Sequence, residues 1–278
     1  MKIDLVKTGF ERYYKVNDIK CPSVTQVIGY HEDKKFLNDW KDRNPLKADV
    51  TCSSARMRGT NIHKALYNYH DNRIKFNQIV DKFSIEEKKY LKGYDDLLSN
   101  TLTPLYLETK VGYLDEGGGF GGKIDNVSLL NTRYFVKYKT DTPVFSKEED
   151  LFIIDYKNPN KAKQPVHLIG YCLQLSAYCA AFNFSTLLSF GLNKALLVIV
   201  SPNITTYYYL SPIKLGKYWS LYKELLTGYY EKKKYNWKLL KESLGVYEDE
   251  ERGYPRIAKV NFLPERIELK SNEIELKF

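Results

Sequence analysis

Apolar residues in this chain recur at two different spacings, and the change from one to the other divides it. Over the first hundred residues the spacing is helical. Pro22-Ser23 followed by Val24, Val27 and Ile28 predicts a capped short helix, and residues 36–42 predict a second. Ser53 or Ser54 is expected to start a longer helix that carries Ile62, Leu66 and Tyr69 inward. Ser84 with Glu87 reads as a capping box opening a helix to about residue 98. From residue 105 the period becomes two. Residues 105–113 alternate as a strand, and the glycines at 117–119, 121 and 122 lead into another over 123–130. Residues 151–156 form a short apolar run suited to a central strand. A helix is expected over 163–184, then an apolar strand at 195–200 with its partner at 205–210. Ser211-Pro212 starts a last long helix, proline being well placed in a first turn. Residues 266–270 and 273–278 alternate around Ser271-Asn272 as a hairpin, and the acidic stretch 248–251 is expected to be a solvated loop.

Helices, then three strands, a helix and a strand pair imply an α/β fold. The expected architecture is a mixed central sheet flanked by helices on both faces, with an N-terminal helical region. No internal repeat or flexible linker divides the chain. A single domain is expected over 1–278, with a helical part at 22–100, an α/β core at 104–210 and a C-terminal helix and hairpin at 211–278.

Composition narrows the function classes. The 278 residues include 43% hydrophobic ones, enough for a sizeable core, yet no apolar run approaches the length of a membrane span. Residues 1–16 have no apolar signal core, and Asp4 and Glu11 argue against a transit peptide, so a cytoplasmic protein is expected. The net charge of +9 favours a polyanionic partner, and 24 Tyr and 13 Phe beside the lysines offer stacking surface. Cys21, Cys52, Cys172 and Cys179 lack the spacing of a zinc module or a disulfide framework and are expected to be reduced thiols.

The strongest chemical signal is Ile153-Ile154-Asp155-Tyr156-Lys157. On a strand Asp155 and Lys157 face one side, so an acid and a base meet at the end of a hydrophobic strand. Asp125 ends a similar run on the expected neighbouring strand, and Glu108 on an earlier strand could add a third carboxylate. Carboxylates brought together repel unless a proton or a cation lies between them, and Mg²⁺ or Mn²⁺ would resolve the conflict. In the helix that follows, Gln174 and Tyr178 are one turn apart, with Tyr171 on the same face. Leu173, Ala177 and Ala180 suit plain packing, whereas a buried Gln174 amide needs partners. Upstream, Arg58-Gly59 precedes His63 within one and a half turns; the arginine could hold a phosphate and the glycine permits close approach of a backbone.

Asp125, Asp155-Tyr156-Lys157 and Gln174-Leu175-Ser176-Ala177-Tyr178 resemble the RecB-like branch of the PD-(D/E)XK nucleases, with its QxxxY helix. Pro22-Ser23-Val24-Thr25, Trp40 and Arg58-Gly59-Thr60-Asn61-Ile62-His63 look closer to the group of the mitochondrial genome maintenance exonuclease and its phage relatives. The resemblance runs from about residue 22 to 210. It implies a PD-(D/E)XK (restriction-endonuclease-like) core and a metal site of His63, Glu108, Asp125, Asp155 and the main-chain carbonyl of Tyr156. Lys157 would orient or activate the attacking water, while Gln174 and Tyr178 would steady the site or hold substrate. Two departures stand out. Asp155 occupies a place where glutamate is commoner, and the interval from Asp125 to Asp155 is long, so 131–150 reads as an insertion that either shapes the substrate path or is a surface hairpin. Several relatives carry an iron–sulfur cluster on C-terminal cysteines; with no cysteine after Cys179, no cluster is expected.

The expected activity is a metal-dependent DNA exonuclease acting on single strands or ends, with DNA and replication or recombination proteins as partners. A phage origin fits the resemblance and would place the protein in the host cytoplasm. Alternatives are a duplex-end resecting nuclease, a structure-specific endonuclease, or an inactive nucleic-acid-binding subunit. Helices before the sheet would wall the site, and Arg56, Arg58 and the basic, aromatic stretch 229–237, Trp237 included, could line a passage for one strand. The first half of the helix from Pro212, with Tyr218 or Trp219, Tyr222, Leu225 and Leu226, is read as core.

Overall fold

The computed structural model describes all residues except 10, 72–75, 141, 162, 164, 187–190, 249–254, 260 and 271–278. The chain opens with β1 (Ile3–Lys7), β2 (Arg12–Val16) and β3 (Ile19–Cys21), an antiparallel sheet that hydrophobic periodicity did not foretell. Asn17 and Asp18 join β2 to β3 with φ of 47° and 65°, the doubly positive conformation of a type I′ turn. Then come α1 (Val24–His31), α2 (Lys35–Arg43), α3 (Pro45–His70), α4 (Phe76–Asp81), α5 (Ile85–Lys92) and α6 (Asp95–Asn100). The expected capping boxes are both present, Ser23 with Gln26 on α1 and Ser84 with Glu87 on α5. α3 starts earlier than expected, at Pro45, where the missing N–H costs nothing. The expected helix from residue 84 breaks after Lys92; the turn is pinned by Thr205, whose hydroxyl donates to the Gly93 carbonyl.

β4 (Leu102–Asp115) and β5 (Gly118–Asn131) form a long hairpin, followed by β6 (Phe135–Lys137), β7 (Glu149–Lys157), α7 (Ile169–Thr186), β8 (Ala195–Ser201), β9 (Ile204–Leu210), α8 (Pro212–Tyr230) and α9 (Trp237–Ser243). β10 (Val246–Glu248) pairs with β11 (Pro255–Ile257), and β12 (Glu265–Leu269) completes the order. α7 begins only after a 3₁₀ turn at Pro165–His167, and α8 is followed by α9, so neither the start at 163 nor a last helix at 212 holds.

Seven strands form one mixed sheet in the order β4-β5-β7-β8-β9-β12-β6. Among the described strand pairs of this sheet only β7 and β8 run parallel, with α7 as their crossover. Alternation on the central strands sends Phe152, Ile154, Tyr156, Leu196, Val198 and Val200 to one core, with Ile62, Leu66, Tyr90 and Tyr94 of α3, α5 and the turn after it. Ile153, Leu197 and Ile199 go to the other, with α1, α7 and α8. Helices thus cover both faces, and Tyr218, Tyr222, Leu225 and Leu226 are core as expected. No described helix is long and apolar enough to cross a membrane.

Two expectations about the periphery change. β12 lies between β9 and β6, so both its edges are taken and it is not half of a local hairpin; residues 273–278 lie outside the described residues. Glu248 ends a strand, and 249–251 are likewise outside them. The stretch 131–150 leaves β5 and rejoins β7 where Asn131 pairs with Glu149, the end of that strand pair remote from Asp125 and Asp155, and carries β6 to the far edge of the sheet. It therefore does not shape the path to the carboxylates.

Candidate active site

Strand β7 is apolar from Leu151 to Ile154 and ends in Asp155, Tyr156 and Lys157. Asp155 is almost fully buried and, by alternation with Ile153, faces α7. Lys157 Nζ donates to Asp155 Oδ1 at 2.8 Å and lies 2.6 Å from Oδ2, off the hydrogen-bonding direction, which leaves Oδ2 buried without a hydrogen-bond partner. Gln174 Nε2 donates to Asp155 Oδ1 at 3.4 Å and to the Tyr178 hydroxyl at 3.1 Å, so the amide has the partners its burial demands. Tyr178 reaches this position because Gly122 lacks a side chain: a Cβ there would stand 2.3 Å from the tyrosine ring. Lys157 Nζ lies 5.2 Å from the centre of the Tyr171 ring.

The second half of the site comes from a break in the β4–β5 ladder. Pairing runs through Leu107↔Asn126 and Thr109↔Ile124 but skips Glu108 and Asp125, and Glu108 has φ +48°. The β5–β7 ladder starts only at Asn126↔Ile154. Asp125 is therefore free of both ladders. Its Oδ2 accepts the Tyr156 N–H at 3.2 Å, and its Oδ1 lies 3.2 Å from His63 Nδ1. The other ring nitrogen of His63 is 3.0 Å from the Tyr156 carbonyl oxygen. A neutral imidazole donates from one nitrogen only, so two acceptors on one ring call for a cation there, a second ring proton or a metal ion.

The charges in the cluster shift one another. Burial would lower the pKa of His63, but the Asp125 charge outweighs it and the net shift is upward. Burial would raise Asp125; His63 and Lys157 bring it below the usual range. Asp155 is pushed up to about 6 by burial, which Lys157 opposes and Asp125 reinforces. Lys157 loses to burial but gains more from Asp155 and Asp125, so it is held protonated at neutral pH.

One ligand atom each from His63, Glu108 and Asp125 lie within 4.8 Å of one another. Asp155 stands outside this trio, held by Lys157. The donor set of one imidazole and two carboxylates could hold a divalent metal ion. Glu108 is ion-paired with Lys123, a contact that an entering cation must displace.

The trio opens into a cleft of about 700 Å³ between α3 and the β4–β5 hairpin, lined also by Arg56, Gly59, Lys64, Tyr67 and Lys123. Arg56 is where the sequence reading put it. Arg58 is not: it is buried, donates to Glu86 and Asn160 and stacks on Tyr90, so it ties α3 to α5 and to the segment after β7 rather than meeting a phosphate. Trp237 lines a different cavity, with His31, Lys34 and Lys234, and none of residues 229–237 lines the cleft. Tyr230 instead donates to the Gly119 carbonyl. Lys64, Tyr67 and Lys123 escaped the sequence reading, although Thr60, His63, Lys64 and Tyr67 follow helical spacing on one face. Beneath the site, a buried network that was also missed joins His70, Asn126, Ser128 and the Tyr156 hydroxyl.

No family model and no curated protein matches the chain. Among solved structures, one described as "Crystal structure of SSO0001" is similar over 64% of this chain and 78% of its own, at 14% identity and a TM-score of 0.32. Likeness at that level carries no argument about this chain.

Proposed function

We propose that this chain is a divalent-metal-dependent deoxyribonuclease with a PD-(D/E)XK core, hydrolysing phosphodiester bonds of single-stranded DNA or of DNA ends. The observation that carries the reading is the meeting of His63, Glu108 and Asp125 at a break in the ladder, beside the Asp155–Lys157 pair. In this reading His63, Glu108, Asp125, Asp155 and the Tyr156 carbonyl would hold Mg²⁺ or Mn²⁺, which polarises the phosphoryl oxygen and acidifies a water. Lys157, kept protonated, donates to the attacking water or to the developing oxyanion rather than abstracting a proton. Gln174 fixes Asp155 and is itself fixed by Tyr178. Arg56, Lys64 and Tyr67 offer phosphate contacts and a stacking face along α3.

End-labelled linear single strands, linear duplexes and covalently closed single-stranded circles, incubated with and without Mg²⁺, test the reading. Wild-type protein should cut linear strands only with the metal, and Lys157→Ala should lose at least about 100-fold in rate while binding DNA nearly as before. Binding without metal-dependent cleavage would make the chain a nucleic-acid-binding subunit. Circles cut as fast as linear strands would make it an endonuclease, and with 229–237 away from the cleft only α3 stands against that outcome.

A further inference from the structure

The small N-terminal sheet lies on the same face of the large sheet as the cleft. A Cβ on Gly112 would meet Val16 at 2.8 Å and Ile3 at 3.3 Å, and one on Gly121 would meet Tyr14 at 2.3 Å. Gly121 and Lys123 are two apart on β5 and face one side. Two residues back from Tyr14 on β2 is Arg12, which pairs with Lys7 across the β1–β2 ladder. The like charges of Arg12 and Lys7 both act on Lys123, which brings this end of the N-terminal sheet near it. Lys123 in turn stands directly across from Lys110.

Four exposed cations therefore gather as two like-charged cross-strand pairs, of which Lys123 and Lys110 stand two positions from Asp125 and Glu108 along their strands. Such pairs cost stability in an isolated protein. Glu108 answers Lys123, and the nearby Glu11 is taken by Lys20. Among the described residues no carboxylate forms an ion pair with Lys7, Arg12 or Lys110. Arg56 and Lys64 on α3 and Lys123 on β5 line the cleft beside the carboxylates, while Arg12 borders a separate pocket with Lys20 and Tyr229.

We propose that Lys7, Arg12 and Lys110 form a phosphate-binding subsite for the polynucleotide backbone beyond the bond that is cut. The inference rests on the nuclease reading for the position of that bond, but the binding itself does not need cleavage. A polyanion lying here relieves two repulsive pairs, and the N-terminal sheet supplies Lys7 and Arg12 of the four cations.

The test is the salt dependence of binding to a labelled single-stranded oligonucleotide, read by fluorescence anisotropy in EDTA, for the full chain. Lys7→Gln/Arg12→Gln/Lys110→Gln should flatten the log–log slope by about 2, which is about 100-fold in affinity at 0.1 M salt. Lys110→Gln alone should flatten it by about a third as much. Removing the same charge from α5 and the segment before it, outside the residues that line the cleft, in Lys82→Gln/Lys89→Gln/Lys92→Gln, should leave the slope unchanged. The first triple variant should melt no lower than wild type, since repulsion is relieved. Equal losses in both triple variants, or none in the first, overturn the subsite. Wild-type protein that binds with the expected slope but never cleaves overturns the nuclease reading and supports this one.

Discussion

Mild acid should destabilise this protein through His70. The imidazole closes α3, is 7% exposed, and its Nε2 faces the Asn126 amide and the Tyr156 hydroxyl, both at 3.4 Å. Ser128 donates to the oxygen of that amide, which turns its NH₂ toward the ring. Protonation would set N–H against N–H in a buried pocket, and burial depresses the pKa from 6.5 to about 4. Between those values the unfolded chain binds a proton that the native state does not. Stability therefore falls as pH drops through that window and changes no further below it. The full shift corresponds to about 3 kcal/mol, of which about 2 kcal/mol is spent by pH 5. Other groups titrate there too; Asp155, with its raised pKa, pulls the opposite way. The measurement is a comparison: urea unfolding of wild type and His70→Gln at pH 7 and pH 5, glutamine keeping an acceptor for Asn126. Wild type should lose about 2 kcal/mol more than the variant. Equal losses would refute the reasoning.

Gly122→Ala drives a methyl into the Tyr178 ring; a cost of about 1–3 kcal/mol is expected, a melting point lower by several degrees, and a fall in kcat as Gln174 loses its support. Unchanged melting and unchanged kcat would show that the glycine does not seat the ring. Arg58→Ala should cost about 2 kcal/mol by stripping partners from Asn160 and Tyr90, whereas Arg56→Ala should leave stability alone and weaken DNA binding several-fold. The reverse pattern, by thermal melts and anisotropy, would return Arg58 to the substrate.

Local spacing accounts for what could be read in advance. Asp155 and Lys157 share a face because a strand has period two, and Gln174 meets Tyr178 because a helix has period 3.6. The same rule held the answer on the two arginines: Arg56 precedes His63 by seven residues and shares its face, while Arg58 precedes it by five and does not. What local spacing cannot carry is the kink at Glu108, which appears only where three strands meet, and the company kept by 229–237, which depends on where α1 and α9 pack. The N-terminal sheet was hidden differently. Its strands are five residues or fewer and half polar, and the Asn17-Asp18 turn was the one sharp local signal.

The position of β6 sets a timetable for synthesis. Among the described strands its partner is β12, and the Lys139 amide finds the Glu268 side chain 129 positions further along. At about 5–20 residues per second, a ribosome needs on the order of 10 s to supply that partner. Until then Phe135 and Val136, both buried in the finished fold, belong to a strand with one open edge, the other being covered locally by Thr142, Pro143 and Val144. Such edges recruit strands from neighbouring chains, so nascent protein should be most prone to aggregate in that interval, after the carboxylate-bearing strands exist and before the sheet can close.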